Sequence, residues 1–214
     1  MQSRIILALL MLAVWAPSAS AALVGLDTVL VGNPNIIAGD DFANGVFGTP
    51  PWFVVSGSPG PEAGETLAMH NGDFIYLGFT TNPANNTVAY SLMQLTDFPT
   101  GSFAEMILYG VLDESLSLGI EPGLAVLRDG TGAILGSVAL PPSSEASLML
   151  TVVPFGHLSA SVNGFSVYDE KLAQDFGEVT GLSIRVVPEP ATLGLLGLGC
   201  VFMGVRRRLQ RTRG

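Results

Sequence analysis

Turn-forming clusters recur about every 8 to 15 residues between Ala22 and Val187, so no element in that stretch has room to grow long. Gly57-Ser58-Pro59-Gly60-Pro61, Asn82-Pro83, Pro99-Thr100-Gly101 and Pro141-Pro142-Ser143-Ser144 are the plainest of them. Between them lie strand-length runs rich in apolar, β-branched and aromatic residues, such as 85–92 and 103–109. In His157-Leu158-Ser159-Ala160-Ser161-Val162, Asn163-Gly164, Phe165-Ser166-Val167-Tyr168 the middle pair supplies the positive φ angles of a type I′ turn. Leu158, Ala160 and Val162 share one face, and Phe165 and Val167 are expected to meet them across the ladder. A second hairpin is expected where 124–127 and 133–138 flank Asp129-Gly130-Thr131-Gly132. Residues 169–176 read as one short helix or a loop. The expectation is an all-β chain, a single β-sandwich of ten or so short strands.

Two apolar ends frame this segment and follow different rules. Arg4, the run Ile5 to Trp15, the break at Pro17 and the closing Ala19-Ser20-Ala21 are the parts of a secretory signal peptide, an N-terminal signal helix over residues 1–21 with cleavage expected after Ala21. At the other end, residues 191–205 carry no charge and contain Gly194, Gly197, Gly199 and Gly204. A helix of that length reaches only about 22 Å, short of the ~30 Å hydrocarbon core, so it reads as a short transmembrane helix suited to a temporary stop. Arg206, Arg207, Arg208, Arg211 and Arg213 follow in the tail 206–214 and are expected to stay cytoplasmic by the positive-inside tendency. The middle of the chain is thereby placed outside.

Val187-Pro188-Glu189-Pro190, the Leu/Gly-rich run and the Arg cluster, in that order, resemble the PEP-CTERM sorting signal. The resemblance covers residues 187–214, and it implies processing by an exosortase in a Gram-negative, exopolysaccharide-producing bacterium. Pro188 and Pro190 keep the intervening backbone extended, a form a membrane protease can accept. The domain plan is a signal peptide over 1–21, an exported domain over 22–186 and the sorting signal over 187–214, with its motif at 187–190. Within the exported domain, Asp40-Asp41-Phe42 before a Gly/Pro stretch and Trp52, together with the later Gly-Leu-Ala-Val-Leu and Leu-Met-Leu-Thr-Val strands, resembles concanavalin A-like jelly rolls. That likeness implies a two-sheet jelly-roll-like sandwich and no particular activity.

Charge narrows the partners. Residues 22–187 hold three basic side chains, Arg128, Lys171 and Arg185, against seventeen acidic ones, a net charge near −14 that repels nucleic acid and anionic headgroups. Cys200, inside the apolar run, is the only cysteine, so the domain is held by burial and not by disulfides.

Chemistry-bearing patterns are sparse. The exported part has no thiol nucleophile, Gly-x-Ser-x-Gly elbow or phosphate-binding loop. His70 and His157 form a site only if folding brings them together. Glycoside hydrolysis needs two carboxylates across a cleft; Glu105 is the one acid well placed on a strand, while Asp113 and Glu114 are adjacent and point apart. No cofactor is expected; a calcium cage from Asp27, Asp40, Asp41, Asp73 and Asp129 is the alternative to plain turns. Trp52, beside Pro50-Pro51, is the candidate sugar-stacking ring, with Tyr76, Tyr90, Tyr109 and Tyr168 as further aromatics.

These features lead to an exported, exosortase-sorted envelope or matrix protein whose sandwich is non-catalytic, structural or glycan-binding. Its expected partners are signal peptidase, exosortase, the membrane and exopolysaccharide, with no nucleic acid. The alternative is a glycan-active hydrolase built on Glu105 and a second carboxylate. A domain that stays membrane-retained and uncleaved shares every feature except the processing.

Overall fold

The computed structural model describes residues 22–42, 52–60, 66–111, 114–153, 156–172 and 176–187. The signal segment, Asp113, the motif from Pro188, the apolar run and the Arg tail lie outside the described residues.

Among the described residues, fourteen antiparallel strands form two seven-stranded sheets. The first sheet runs β13 (Phe165–Lys171), β12 (His157–Val162), β11 (Glu145–Val153), β6 (Thr87–Asp97), β1 (Leu23–Gly32) and β2 (Ile36–Asp40); β4 (Leu67–His70) pairs with the first half of β1. The second runs β10 (Ile134–Ala139), β9 (Leu124–Asp129), β8 (Ser115–Glu121), β7 (Phe103–Gly110), β14 (Val179–Val187), β5 (Phe74–Gly78) and β3 (Phe53–Ser56). The sheets face each other across one apolar core, the β-sandwich the alternation predicts.

Alternation decides which side chains enter that core. On β7, Ala104, Met106 and Leu108 point inward, matched on β8 by Leu116, Leu118 and Ile120 and on β14 by Leu182, Ile184 and Val186. Leu26, Leu67, Met69, Ile75, Met93 and Leu127 join them fully buried, each worth about 1.5–3 kcal/mol of burial. On β1 the alternation breaks: Leu26 and Val29 are both fully buried although three residues apart. A register shift against β6 between Leu26 and Thr28 changes the parity of the strand there.

The Asn-Gly hairpin forms as expected. Val162 pairs with Phe165, and Asn163 (φ 51°) and Gly164 (φ 78°) take the left-handed angles of the turn. Asn163 also ties the turn to β11: its Oδ1 accepts from the Ser147 amide at 2.7 Å and its Nδ2 donates to the Glu145 carbonyl at 3.1 Å. Leu158, Ala160, Val162 and Val167 are buried, whereas Phe165 is 42% exposed and does not join them. It sits at the turn, beyond a register shift between Ala160 and Ser161. Residues 169–171 continue β13 as strand and so are neither helix nor loop. The second hairpin also forms, from β9 and β10.

The last strand and the motif read from sequence overlap at one residue. Val187, read from sequence as the first residue of the sorting motif, is the last residue of β14 and pairs with Phe103. The folded domain thus runs directly into Pro188.

Candidate functional site

The same period of two that fills the core sets a second pattern on the outer face of the second sheet. Phe103, Glu105, Ile107 and Tyr109 of β7 point away from the core, and the register brings Arg185, Ser183 and Gly181 of β14 beside the last three on one flank. Gly119, Ser117 and Ser115 of β8 lie beside the same three on the other. Phe74 and Tyr76 of β5 face Arg185 and Ser183, and Arg128 of β9 faces Ser117. Small residues of β14 and β8 flank the larger side chains of β7, with rings and guanidinium groups among them.

Glu105 is the hub. Its side chain is 3% exposed, yet it is an acid on the outward parity, and this is tolerated because both oxygens have partners. Arg185 holds Oε1 through Nε at 2.6 Å and through its NH2 group, and the Ser117 hydroxyl donates to Oε2. Arg185 remains 45% exposed at its side chain, so the pair shows a guanidinium to solvent. The other arginine of the domain, Arg128, stacks 4.8 Å over the Phe103 ring and lies 3.6 Å from Glu121. Arg185 lies 6.0 Å from the centre of the Phe74 ring.

Two glycines shape the face. The Phe103 ring lies across Gly119 and the Tyr76 ring across Gly181, so close that a Cβ at either position would collide. Tyr76 and Tyr109 meet edge to face at 5.8 Å, Tyr109 Oη shares a hydrogen bond of 3.0 Å with Ser183 Oγ, and Tyr76 Oη donates to the Thr180 carbonyl at 3.3 Å. The two tyrosines are therefore fixed platforms. The result is a face of partly exposed rings, exposed guanidinium donors and hydroxyls, with each arginine matched by a glutamate.

The other sequence candidates fall elsewhere. Trp52 is 6% exposed, packed 6.0 Å from Phe42 with its Nε1 donating to Asp40 at 3.2 Å, so it is a core ring and not an exposed sugar contact. Burial of so large a ring outweighs the loop-like context of its prolines. Tyr90 lies on the outer face of the first sheet, in one row with Leu30 and Met149, and Tyr168 packs partly buried against the core. His70 and His157 are not brought together: β4 and β12 are separated by β1, β6 and β11, about 19 Å. Each instead sits beside an acid, His70 at 3.5 Å from Asp73 and His157 at 3.7 Å from Asp169.

Four of the calcium candidates direct oxygens at N–H donors; Asp27 accepts from the Gln94 side-chain amide at 3.1 Å. Asp40 accepts from the Phe42 amide, Asp73 from the Ser58 and His70 amides at 2.8 and 2.7 Å, and Asp129 from the Thr131 and Ala133 amides. The Thr131 hydroxyl foremost, then these amides and that of Gly132, hold the Asp129 carboxyl below the usual carboxylate range, against an opposing desolvation. The bonds to Phe42, His70, Thr131 and Ala133 form turns, whereas those to Ser58 and Trp52 tie distant segments together.

A cleft of about 410 Å³ opens at the end of the sandwich where β14 leaves it, with Leu95, Phe98, Leu140, Pro141 and Pro142 among its walls. Its acids are Glu121 and Glu145, and Asn163 there is committed to β11.

Sequence reasoning singled out Glu105, Tyr76 and Tyr109 but not Phe74, Phe103, Arg128 or Arg185. A signal was present: Arg128 and Arg185 are the only arginines in residues 22–187.

Fold and site together define a two-sheet antiparallel sandwich with an aromatic and arginine-bearing outer face. Residues 186–208 match the PEP-CTERM protein-sorting motif, a signal that implies export and sorting by an exosortase. No curated protein matches the sequence. Among solved structures the chain is similar to the carbohydrate-binding module CBM66 from Bacillus subtilis, at 12% identity and a TM-score of 0.49, covering 67% of this chain and 94% of that one. It is similar to sheep galectin-11 at 11% identity and a TM-score of 0.40, over 52% and 88% of the two chains. An alginate lyase of polysaccharide lyase family 7 is similar at 11% identity and a TM-score of 0.27, over 55% and 68%.

Proposed function

We propose that the exported domain is a non-catalytic glycan-binding sandwich of the cell envelope or extracellular matrix, and that the outer face of its second sheet is the binding surface. The observation that carries this reading is the Glu105–Arg185 pair set among Phe74, Tyr76, Tyr109 and Phe103. A sugar ring offers C–H faces that pack on aromatic rings and hydroxyls that need both donors and acceptors. Fixed rings beside a guanidinium and hydroxyls supply all of these. The balanced charge of the face favours an uncharged glycan, since the surrounding domain, near −14, repels an anionic one. Against hydrolysis by Glu105 stands its geometry: both oxygens are occupied, one by Arg185 and one by Ser117.

Affinity electrophoresis of the processed protein through gels holding neutral or uronate-rich polysaccharides tests this. Retention by a neutral polysaccharide is expected to weaken about tenfold, roughly 1.4 kcal/mol, in Tyr109→Ala and in Arg185→Met. Tyr90→Ala, on the opposite face, leaves it unchanged. Equal losses from both faces, or release of reducing ends from the polysaccharide, would sink the proposal.

A further inference from the structure

The last strand leaves the fold with no spacer before the sorting motif. Val186 is fully buried, its N–H donates to the Asp73 carbonyl at 3.0 Å and its carbonyl accepts from the Gly72 amide at 2.8 Å. Val187 is still paired, with Phe103. The residue preceding Pro188 is thus held on the β7 side and its neighbour on the side of the β4–β5 turn. Only Pro188, Glu189 and Pro190 separate this locked end from the apolar run that starts at residue 191. Four steps of fully extended chain reach about 14 Å at most. The headgroup layer takes roughly 5–7 Å of that distance. What remains is thinner than a single helix, about 10–12 Å across.

We infer that the sorting enzyme cannot reach the bonds around Pro188–Pro190 without pressing on the end of the sandwich where β14 leaves it, and that this contact limits the rate of cleavage. The surface concerned consists of Val187, the turn at residues 71–73 and the turn at residues 99–102. The folded domain acts as a steric gate on its own processing.

The full chain, expressed in a host with its exosortase, is compared with variants carrying Gly/Ser spacers of 3, 6 and 12 residues between Val187 and Pro188. Intact mass after a chase reports the loss of the Arg206 to Arg213 tail. Tail loss is expected to accelerate about threefold or more by the six-residue spacer and then level off. A six-residue insertion at Gly130-Thr131, in the turn at the opposite end of β9, controls for a general effect of insertion and leaves the rate unchanged. Equal melting temperatures of the processed products confirm that the spacers leave the domain intact. Tail loss that is unchanged or slowed by spacers overturns the inference. Retention of the tail in every chain, with exosortase present, overturns the sorting reading and this inference with it, and leaves the glycan-binding reading standing.

Discussion

Ser91 faces the core from β6, has no exposed surface, and its hydroxyl has no hydrogen-bond partner among the described residues. An unsatisfied buried hydroxyl costs free energy, so Ser91→Ala is expected to leave the domain as stable or up to about 1 kcal/mol more stable, read from the urea midpoint. A loss of more than about 1 kcal/mol would show that the hydroxyl has a partner in solution. Glu105 shows the opposite arrangement, a buried carboxylate with every oxygen satisfied. Sequence could single it out as a lone acid on a strand, but Arg185 lies 80 residues away and no local rule connects the two. Trp52 differs from its sequence expectation for a related reason. Two prolines before it are a local sign of a loop, while its burial depends on Asp40 and Phe42 at the end of β2, a strand of the opposite sheet from the β3 that Trp52 precedes.

At the scale of elements, the turns carry the most readable information. The Asn163-Gly164 turn was legible because a two-residue hairpin is decided by its own φ angles. Its tie to Ser147 and Glu145 was not, because β11 reaches it only through the register of the sheet. Asn163→Ala is expected to cost about 1–2 kcal/mol, through the strained φ and the lost hydrogen bonds, and Asn163→Gly to cost less. Chemical denaturation of the two variants gives that order or rejects it. The β9–β10 turn gives a pH prediction. Asp129 is held below 3.8 in the fold, so its contribution is present above its ordinary value and is lost as pH falls through the lowered one. The amides of Thr131 and Ala133, followed by NMR through an acid titration, should shift together below pH 3.8. A midpoint at or above 3.8 counts against the turn. What the elements hid was face assignment. Register shifts on β1, β13 and β14 change the parity of a strand midway, and a period-two reading fails to notice them.

At the scale of the whole molecule, the sheet order and not the strand count was beyond local reading. β14 lies between β7 and β5, so the last described strand in sequence is interior to its sheet, with four strands on one side and two on the other. A chain ended after residue 178 would leave that sheet as a four-stranded piece, β10 to β7, and a two-stranded piece, β5 with β3, both lacking the Leu182, Ile184 and Val186 side chains that close the core. Such a chain is expected to lose cooperative unfolding, with a melting transition that broadens or vanishes by calorimetry. A sharp transition near that of the parent would mean the sandwich tolerates the gap.

In a chain threaded N-terminus first, residues 179–187 arrive after all the other described strands. A chain that stalls or breaks before them arrives with an open core and unpaired strand edges, in the condition that proteases remove. A chain that closes the core has, by the same event, brought its sorting signal to the membrane. The position of one strand therefore ties completeness of the core to presence of the sorting motif: a chain that lacks residues 179–187 lacks both.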